Sequence, residues 1–200
     1  GGNFLNPIMG NKLIFEFSGK KTDGDASLNN LLGGKGANLA EMSKLGIQVP
    51  PGFTITTEVC SYFSKNKKLP DGLKEEIIKY VSNLESLSQK SFGNNESPLL
   101  LSVRSGGMIS MPGMMDSILN IGLNDDNIQS LAEAFNDERF ALDSYRRLIQ
   151  MYSNVVLGVE MDRFEAVIAN KKRIDNVTSD ADFNVEPVSY THLRAHETCV

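Results

Sequence analysis

The sequence predicts an α/β (α+β) fold in which a mixed sheet is flanked by helices. Short segments of alternating apolar and polar residues predict strands, at 12–17, 53–56, 99–103 and 117–121. Longer segments with apolar residues every three or four positions predict helices, of which 73–87 and 137–157 are the longest. Two hundred residues, 40% of them hydrophobic, suffice for one sizeable core.

The composition argues against several classes of protein. A formal net charge of −5 is unlike a nucleic-acid-binding scaffold, which normally carries a basic stripe. Two cysteines, Cys60 and Cys199, are too few for a disulfide framework, and we expect Cys60 to be a small buried residue within a helix. No apolar run approaches the ~20 residues that span a bilayer, and no basic-then-apolar leader opens the chain. We therefore expect a cytoplasmic protein that binds neither membranes nor nucleic acid.

In the first half of the chain, turn residues predict where each element ends. The strand at 12–17 is followed by a polar loop at 18–30, and the next helix is expected to end near Leu45. Gly46 suits the left-handed residue that terminates a helix. Thr57 is predicted to cap a helix over 58–65, which follows the strand at 53–56.

In the second half, polar residues predict the helix starts. Asn124 is expected to cap a helix that runs from 125 to about 135, because two aspartates follow it at the positive end. The helix at 137–157 should leave Arg139, Arg146 and Arg147 in solvent, and a last helix is predicted over 160–173. The residues of 137–157 expected to face the core are Phe140, Tyr145, Leu148, Ile149, Tyr152 and Val156.

A glycine-rich turn around Lys35 is the first candidate site. Gly33, Gly34, Lys35 and Gly36 precede a helix, so the N–H groups at its start and the lysine ammonium can face one phosphate. The turn is not a P-loop, since G-x-x-x-x-G-K-[ST] is absent and Ala37 offers no hydroxyl for Mg²⁺. A flexible turn with a solvated lysine explains the same residues, and spacing alone favours that simpler explanation.

A strand that ends in Arg104 is the second candidate site. Leu99, Leu101 and Val103 are expected on its buried face, which would hold Arg104 in a fixed position. A guanidinium followed by a glycine-rich loop suits phosphate oxygens. The alternative is a β-hairpin in which Arg104 pairs with Asp116, and the residues do not decide between the two.

Four methionines, at 108, 111, 114 and 115, lie in the loop between the strands at 99–103 and 117–121. Flexible, polarizable side chains can cover a nucleotide or fill gaps beneath a loop. On the residues alone, gap filling is the simpler explanation.

Two segments closely resemble the nucleotide-binding region of the pyruvate, phosphate dikinase family. They are LLGGKGANLAEMSKLGIQVPPGFTITTEVC at 31–60, and SVRSG with SMPGMMDSILNIGLN within 102–124. The resemblance implies an ATP-grasp-like fold, of which residues 1–186 form the first half. It implies that the methionine-rich loop covers the nucleotide phosphates and that the side chains of Lys35 and Arg104 converge on one triphosphate. The ATP-binding residues that it implies are Lys35, Arg104, Ser105, Gly113 and Met115.

The resemblance also implies an enzyme class. Members of this family convert ATP, phosphate and pyruvate to AMP, pyrophosphate and phosphoenolpyruvate, through a phosphohistidine on a separate domain, with Mg²⁺ accompanying ATP. The full enzyme is expected to be a homodimer. The phosphohistidine, the pyruvate site and the metal-binding carboxylates are expected outside this chain. We therefore assign no catalytic or metal-binding residue and expect the chain alone to be inactive.

Other functions are compatible with the same motifs. Phosphoenolpyruvate synthases and glucan-water dikinases share the VRS element, but an alanine-rich, acidic loop usually follows it there. The MPGMMD sequence at 111–116 therefore favours the phosphate-dependent enzyme. A non-catalytic nucleotide sensor, or an interaction module that keeps the fold, is the alternative from a different class.

The end of the chain, residues 187–200, resembles a tail that is often appended to library-derived sequences. It contains both histidines, His192 and His196, together with Cys199, and these three residues could imitate a metal site. We expect this tail to be non-native and disordered.

Overall fold

The computed structural model describes residues 10–19, 21–106 and 117–178. Gly113, Met115, Asp116, the four loop methionines and the tail at 187–200 lie outside the described residues. The described part has a mixed α/β fold, as predicted. Instead of one mixed sheet, its strands form three two-stranded sheets, two antiparallel and one parallel. No helix in these ranges is both long and apolar enough to cross a bilayer.

The chain divides into two compact units. The first unit extends to Lys90 and also includes the segment that begins at Arg104, whereas the second unit contains Ser91–Val103 and the chain from Asp116 onward. The elements of the first unit are β1 (Ile14–Phe17), α1 (Asn29–Lys44), β2 (Gly52–Ile55), α2 (Thr57–Asn66) and α3 (Leu73–Ser88).

The core of the first unit forms around the antiparallel pair of β1 and β2. Ile14 is opposite Ile55, and Phe17 is opposite Gly52. A Cβ atom on Gly52 would lie 2.6 Å from the ring of Phe17, so only glycine lets this ring cover the strand. One buried cluster joins β1 to α2 and α3, and a second joins β1 to α1. Their buried members are Leu13, Ile14, Val59, Tyr62 and Leu73, and Leu32, Ala37 and Ala40.

The end of α1 confirms the prediction for Gly46. This residue has φ +79°, and its N–H donates to the carbonyl of Ser43 at 3.1 Å. The next N–H, of Ile47, donates to the carbonyl of Met42 at 3.0 Å, which completes a Schellman motif. The start of α1 differs from the prediction, because the helix begins within the expected loop, directly after a 3-10 turn at Ala26–Leu28.

Two predictions for α2 are wrong. Its N-cap is Thr56, and Thr57 is the first helical residue, with its hydroxyl bonded to another element. Cys60 is exposed, because the buried face of α2 is formed by Val59 and Tyr62, and Cys60 lies outside that stripe. In a helix as short as α2, the apolar residues did not indicate that Cys60 lies outside the buried face.

The second unit contains β3 (Ser91–Phe92), β4 (Pro98–Leu99), β5 (Leu101–Val103), β6 (Ile118–Ile121), α4 (Ile128–Phe135), α5 (Glu138–Val155) and α6 (Met161–Asp175). Its β3 and β4 strands are parallel, and β5 forms an antiparallel hairpin with β6. The core lies between β6 and the helices α4 and α5. Its buried members are Ile118, Leu123, Leu131, Ala132, Ala141, Tyr145 and Leu148.

The strand expected at 99–103 is divided into β4 and β5. Leu99 is buried, but Leu101 is only partly buried and Val103 is 54% exposed, so the prediction of one continuous buried face is wrong. The pairing of β5 with β6 is irregular between Leu101 and Val103. The alternation of apolar residues therefore predicted a strand here, but it did not predict the irregular pairing that interrupts the buried face of the strand.

Polar caps set the helix starts of the second unit. Asn124 accepts N–H bonds from Asp126 and Asn127, so it caps a turn, and α4 begins three residues later than predicted, at Ile128. Asn127 is fully buried and donates to the carbonyls of Gly122 and Asn94. Asp137 accepts from the N–H of Phe140 at 2.9 Å and caps α5.

The predicted core face of α5 is correct only in part. Tyr145 and Leu148 are buried, whereas Phe140, Tyr152 and Val156 are exposed, with the ring of Phe140 against that of Phe135. Phe140 lies beside the buried stripe of the helix, whereas Tyr152 and Val156 continue the stripe at the C-terminal end of the helix, where they are exposed. Of the three arginines expected in solvent, Arg146 and Arg147 both form ion pairs with Asp143, and Arg146 is partly buried.

Replacing Thr56 by valine should leave the free energy of unfolding within about 0.5 kcal/mol of its original value, or raise it. The Thr56 hydroxyl is buried and has no hydrogen-bond partner within the described part of the chain, so valine removes a desolvated polar atom at nearly constant volume. Urea unfolding measures the change.

Thr22→Val is the matched control for this substitution. The Thr22 hydroxyl donates to the carbonyl of Ser18 at 3.0 Å and lies 2.8 Å from the hydroxyl of Ser43. Its removal should lower the free energy of unfolding by about 1 kcal/mol. A larger loss for Thr56→Val than for Thr22→Val would contradict the description of Thr56 as unpaired.

Candidate functional site

The helix α1 is broken at Gly33. This residue has φ +70° and ψ 166°, a combination that is essentially restricted to glycine, so the regular helix starts again after it. Lys35 lies in the first turn of the restarted segment and is exposed. The first N–H groups of a helix have no partner within it, and they attract anions. The break thus creates a second helix start with a lysine on it.

The other side of this turn packs against β2. A Cβ atom on Gly36 would lie 2.7 Å from Cγ2 and 2.9 Å from Oγ1 of Thr54, closer than real Cβ atoms approach other atoms. Ala37 and Ala40 on the same helix are also buried. Small residues therefore let the restarted helix approach β2 closely, while the side chain of Lys35 is exposed to solvent.

The loop before the glycine turn is tied to the later part of α1. The carboxylate of Asp25 accepts from the N–H of Ser27 at 3.0 Å and from Nζ of Lys44 at 2.9 Å. The carboxylate of Glu41 accepts from the N–H of Ala26 at 3.1 Å. Hydrogen bonds from the Ser27 hydroxyl, Lys44 and the Ser27 N–H lower the pKa of Asp25 to about 2, and Asp25 raises the pKa of Lys44.

The segment that contains Arg104 reaches the same turn. It belongs to the first unit, and a Cβ atom on Gly106 would lie 3.6 Å from the carbonyl oxygen of Leu32. Leu32 directly precedes Gly33, so Gly106 lies close to the chain at the point where α1 breaks. Arg104 is exposed and Ser105 is partly buried.

The candidate residues are therefore brought together only in part. The chain segments of Lys35 and Arg104 come close to each other at Leu32 and Gly106. Neither cation forms an ion pair with any carboxylate in residues 10–19, 21–106 and 117–178. Convergence of the two side chains on one ligand stays a prediction. Gly113 and Met115 lie outside the described residues.

The described ranges contain no group of three or more His, Cys, Asp or Glu side chains placed to hold a metal ion. Mg²⁺ prefers oxygen ligands from carboxylates and phosphates. The described residues therefore do not fit a metal site made by protein side chains alone.

The threonines that contact the turn were not predicted from the sequence. Thr54 contacts Gly36, and the hydroxyl of Thr57 donates to the carbonyl of Asn30 at 2.8 Å. The close spacing of small residues from Gly33 to Ala40 was a signal of close packing. No local pattern, however, indicated that Thr54 and Thr57 are the residues that contact this turn.

Comparison with known proteins finds related sequences. Residues 29–92 match the family described as pyruvate phosphate dikinase, AMP/ATP-binding domain. The chain is 50% identical over 178 residues to the pyruvate, phosphate dikinase of Rickettsia prowazekii, and 47% identical over 176 residues to that of Clostridium symbiosum. Each alignment covers 88% of this chain and 20% of the relative. The chain thus spans about a fifth of the length of these relatives.

The matched region first indicates the class of protein domain. With the glycine break and the exposed lysine inside the matched residues, the chain carries a nucleotide-binding domain of the AMP/ATP type. More particularly, the chain belongs to the pyruvate, phosphate dikinase family, a family of phosphotransferases, as the resemblance at 31–60 and 102–124 predicted.

Gly36→Ala should lower the free energy of unfolding by about 1–3 kcal/mol, because the added methyl group overlaps the side chain of Thr54. The double variant Gly36→Ala/Thr54→Ala should lose less free energy of unfolding than the two single variants lose together, since Thr54→Ala removes both overlapping atoms. Urea unfolding of all four proteins measures this coupling. Additive effects would show that Gly36 and Thr54 are not in contact.

Asp25→Asn should lower stability at pH 7 and reduce the loss of stability in acid. The folded-state pKa of Asp25, about 2, lies below its ordinary value of 3.8, so the unfolded state binds more protons between these values. The stabilisation by Asp25 is thus complete above about pH 4 and is lost as the pH falls through about 2. Urea unfolding at pH 7, 4 and 2.5 compares the two proteins.

Asp71→Asn is the control for this pH series. Its exposed carboxylate lies 3.9 Å from Nζ of Lys68, beyond hydrogen-bond distance. An exposed pair of this kind contributes little to stability. A stability difference between the original protein and Asp25→Asn that stays constant from pH 7 to 2.5 would count against the predicted role of Asp25.

Proposed function

We propose that this chain binds the triphosphate of ATP at the glycine break of α1, with Lys35 and Arg104 as the cationic contacts. The observation that carries the proposal is the proximity of Gly106 to the carbonyl oxygen of Leu32, next to Gly33: a Cβ atom on Gly106 would lie 3.6 Å from that oxygen. This proximity brings the segment of Arg104 near the helix start that bears Lys35. Both cations are exposed, and neither is neutralised by a carboxylate of the described residues.

The two cations have different chemical roles in this proposal. The Lys35 ammonium is a compact charge that acts together with the free N–H groups of the restarted helix. The planar guanidinium of Arg104 can hold two phosphate oxygens at once. Ser105 follows Arg104 directly, and Gly113 and Met115 of the methionine-rich loop complete the proposed set. Phosphoryl transfer depends mostly on such positioning and charge neutralisation.

The reaction of the whole enzyme is a wider part of the proposal. Relatives about five times longer are named pyruvate, phosphate dikinase, and the corresponding reaction converts ATP, phosphate and pyruvate to AMP, pyrophosphate and phosphoenolpyruvate. The phosphohistidine would lie outside residues 1–186, as would the pyruvate site. An ATP-grasp fold, a cytoplasmic location, a homodimeric full enzyme and a non-native segment at 187–200 are parts of the same proposal.

Mg²⁺ would accompany ATP in this reaction. The carboxylates that hold the ion are expected outside this chain, so the residues of this chain would meet Mg²⁺ only through the phosphates of the nucleotide. The residues proposed here bind and orient the phosphates around it.

Arg104→Ala should weaken ATP binding by the 200-residue chain about tenfold or more, because a charge-assisted, two-point contact with phosphate is lost. Arg104→Lys should restore only part of the affinity, since an ammonium cannot form the planar fork. Lys35→Ala should also weaken binding. Isothermal titration with ATP and Mg²⁺ measures all of these affinities.

Lys65→Ala is the control, because Lys65 is an exposed lysine in the same unit but on the last turn of α2. It should bind ATP as the original chain does. Equal losses for Lys65→Ala and Lys35→Ala would indicate a general charge effect. No ATP binding by the original chain would favour the interaction-module alternative.

A further inference from the structure

The corner between β2 and α2 contacts the glycine turn on both sides of its break. Before the break, the Thr57 hydroxyl donates to the carbonyl of Asn30 at 2.8 Å. After the break, the Thr54 side chain lies directly against Gly36. Gly33 and Lys35 lie between these two contacts in the sequence. A single corner of the chain therefore holds both ends of the turn.

This corner is itself fixed to the core of the first unit. The N–H of Thr56 donates to the carbonyl of Leu13 at 3.0 Å, and both Thr56 and Leu13 are buried. The N–H of Val59 donates to the carbonyl of Thr56 at 3.1 Å, which joins the corner to the first turn of α2. Thr57 therefore extends from a rigid support.

The hydroxyl of Thr57 is not used within its own helix. The N-cap position of α2 belongs to Thr56, and the Thr57 hydroxyl bonds to a residue 27 positions earlier in the chain. The bond thus links two helices instead of completing a local cap. Its acceptor, Asn30, lies in the first turn of α1, three residues before the break.

A turn rich in glycine needs such a support if it is to bind phosphate well. Glycine loses more conformational freedom on ordering than any other residue. Binding through N–H groups also requires that these groups point at the ligand before it arrives, because ordering them afterwards reduces the affinity. An external hydrogen bond beside the break reduces this cost.

We infer that Thr57 is a positioning residue for the phosphate-binding turn: its hydroxyl, bonded to Asn30, holds the broken start of α1 in the conformation that receives the nucleotide phosphates. The inference rests on the proposed ATP site. It gives Thr57 no contact with the nucleotide and predicts that its effect on affinity passes through residues 31–38.

Three variants of the 200-residue chain test this inference. Thr57→Val keeps the shape of the side chain but removes the hydroxyl, and Thr57→Ser restores the hydroxyl without the methyl group. Thr22→Val removes a hydroxyl from the same unit that donates to the carbonyl of Ser18 and contacts Ser43, near the other end of α1. Each protein is titrated with ATP and Mg²⁺, its thermal midpoint is measured, and amide hydrogen exchange of residues 31–38 is followed without nucleotide.

Thr57→Val should weaken ATP binding about three- to tenfold, the loss expected for one hydrogen bond, and should speed exchange at 31–38. Thr57→Ser should stay within about twofold of the original chain in both measurements. Thr22→Val should lower the thermal midpoint yet bind ATP normally. If Thr57 contributed only to stability, Thr57→Val would behave as Thr22→Val does: its thermal midpoint would fall, and its ATP affinity would be unchanged.

The inference is overturned if Thr57→Val binds ATP as tightly as the original chain. It is also overturned if Thr57→Ser loses as much affinity as Thr57→Val. If the original chain binds no ATP, the proposed function fails, and hydrogen exchange then decides on its own whether Thr57 orders the turn. Faster exchange at 31–38 in Thr57→Val but not in Thr57→Ser supports that role, and unchanged exchange refutes it.

Discussion

The backbone conformation of Gly33 is the constraint on which the rest of the candidate site depends. A residue with a side chain at this position would have to adopt angles that side chains disfavour, and α1 would tend to continue as one regular helix. In that case the N–H groups after the break would bond within the helix and Lys35 would lie in its interior turns. Contacts surround this one irregularity, from Asp25 in the loop and Glu41 in the later part of α1 to Thr54 and Thr57 at the corner.

The two kinds of contact around the break differ in physical character. On the solvent side, Asp25 and Lys44 form an exposed ion pair, which salt screens readily. On the core side, Gly36 of α1 approaches Thr54 of β2 so closely that no further atom fits between them, and Ala37 and Ala40 are buried. Close packing thus determines where the helix lies, and polar contacts determine how its irregular start is arranged.

Local sequence predicted the features that depend on local chemistry. Gly46 ends α1 because glycine tolerates the left-handed conformation, and the strands β1 and β2 follow from alternating apolar residues. Thr57, Cys60 and Val103 were misassigned because their environments depend on which elements pack together in space. Local chemistry suggested a phosphate contact for Lys35 and for Arg104 separately. Their pairing on one ligand could be suggested only through family resemblance, since 69 positions separate them.

The first unit is discontinuous along the chain, and this has a consequence for synthesis. Its main part ends at Lys90, and the segment that begins at Arg104 completes it. The residues between them belong to the second unit. During translation, a nascent chain that stops before residue 104 therefore holds the glycine break without its proposed arginine. A ligand stabilises only the form that it binds, so at the proposed site ATP would stabilise this unit less until the later segment leaves the ribosome.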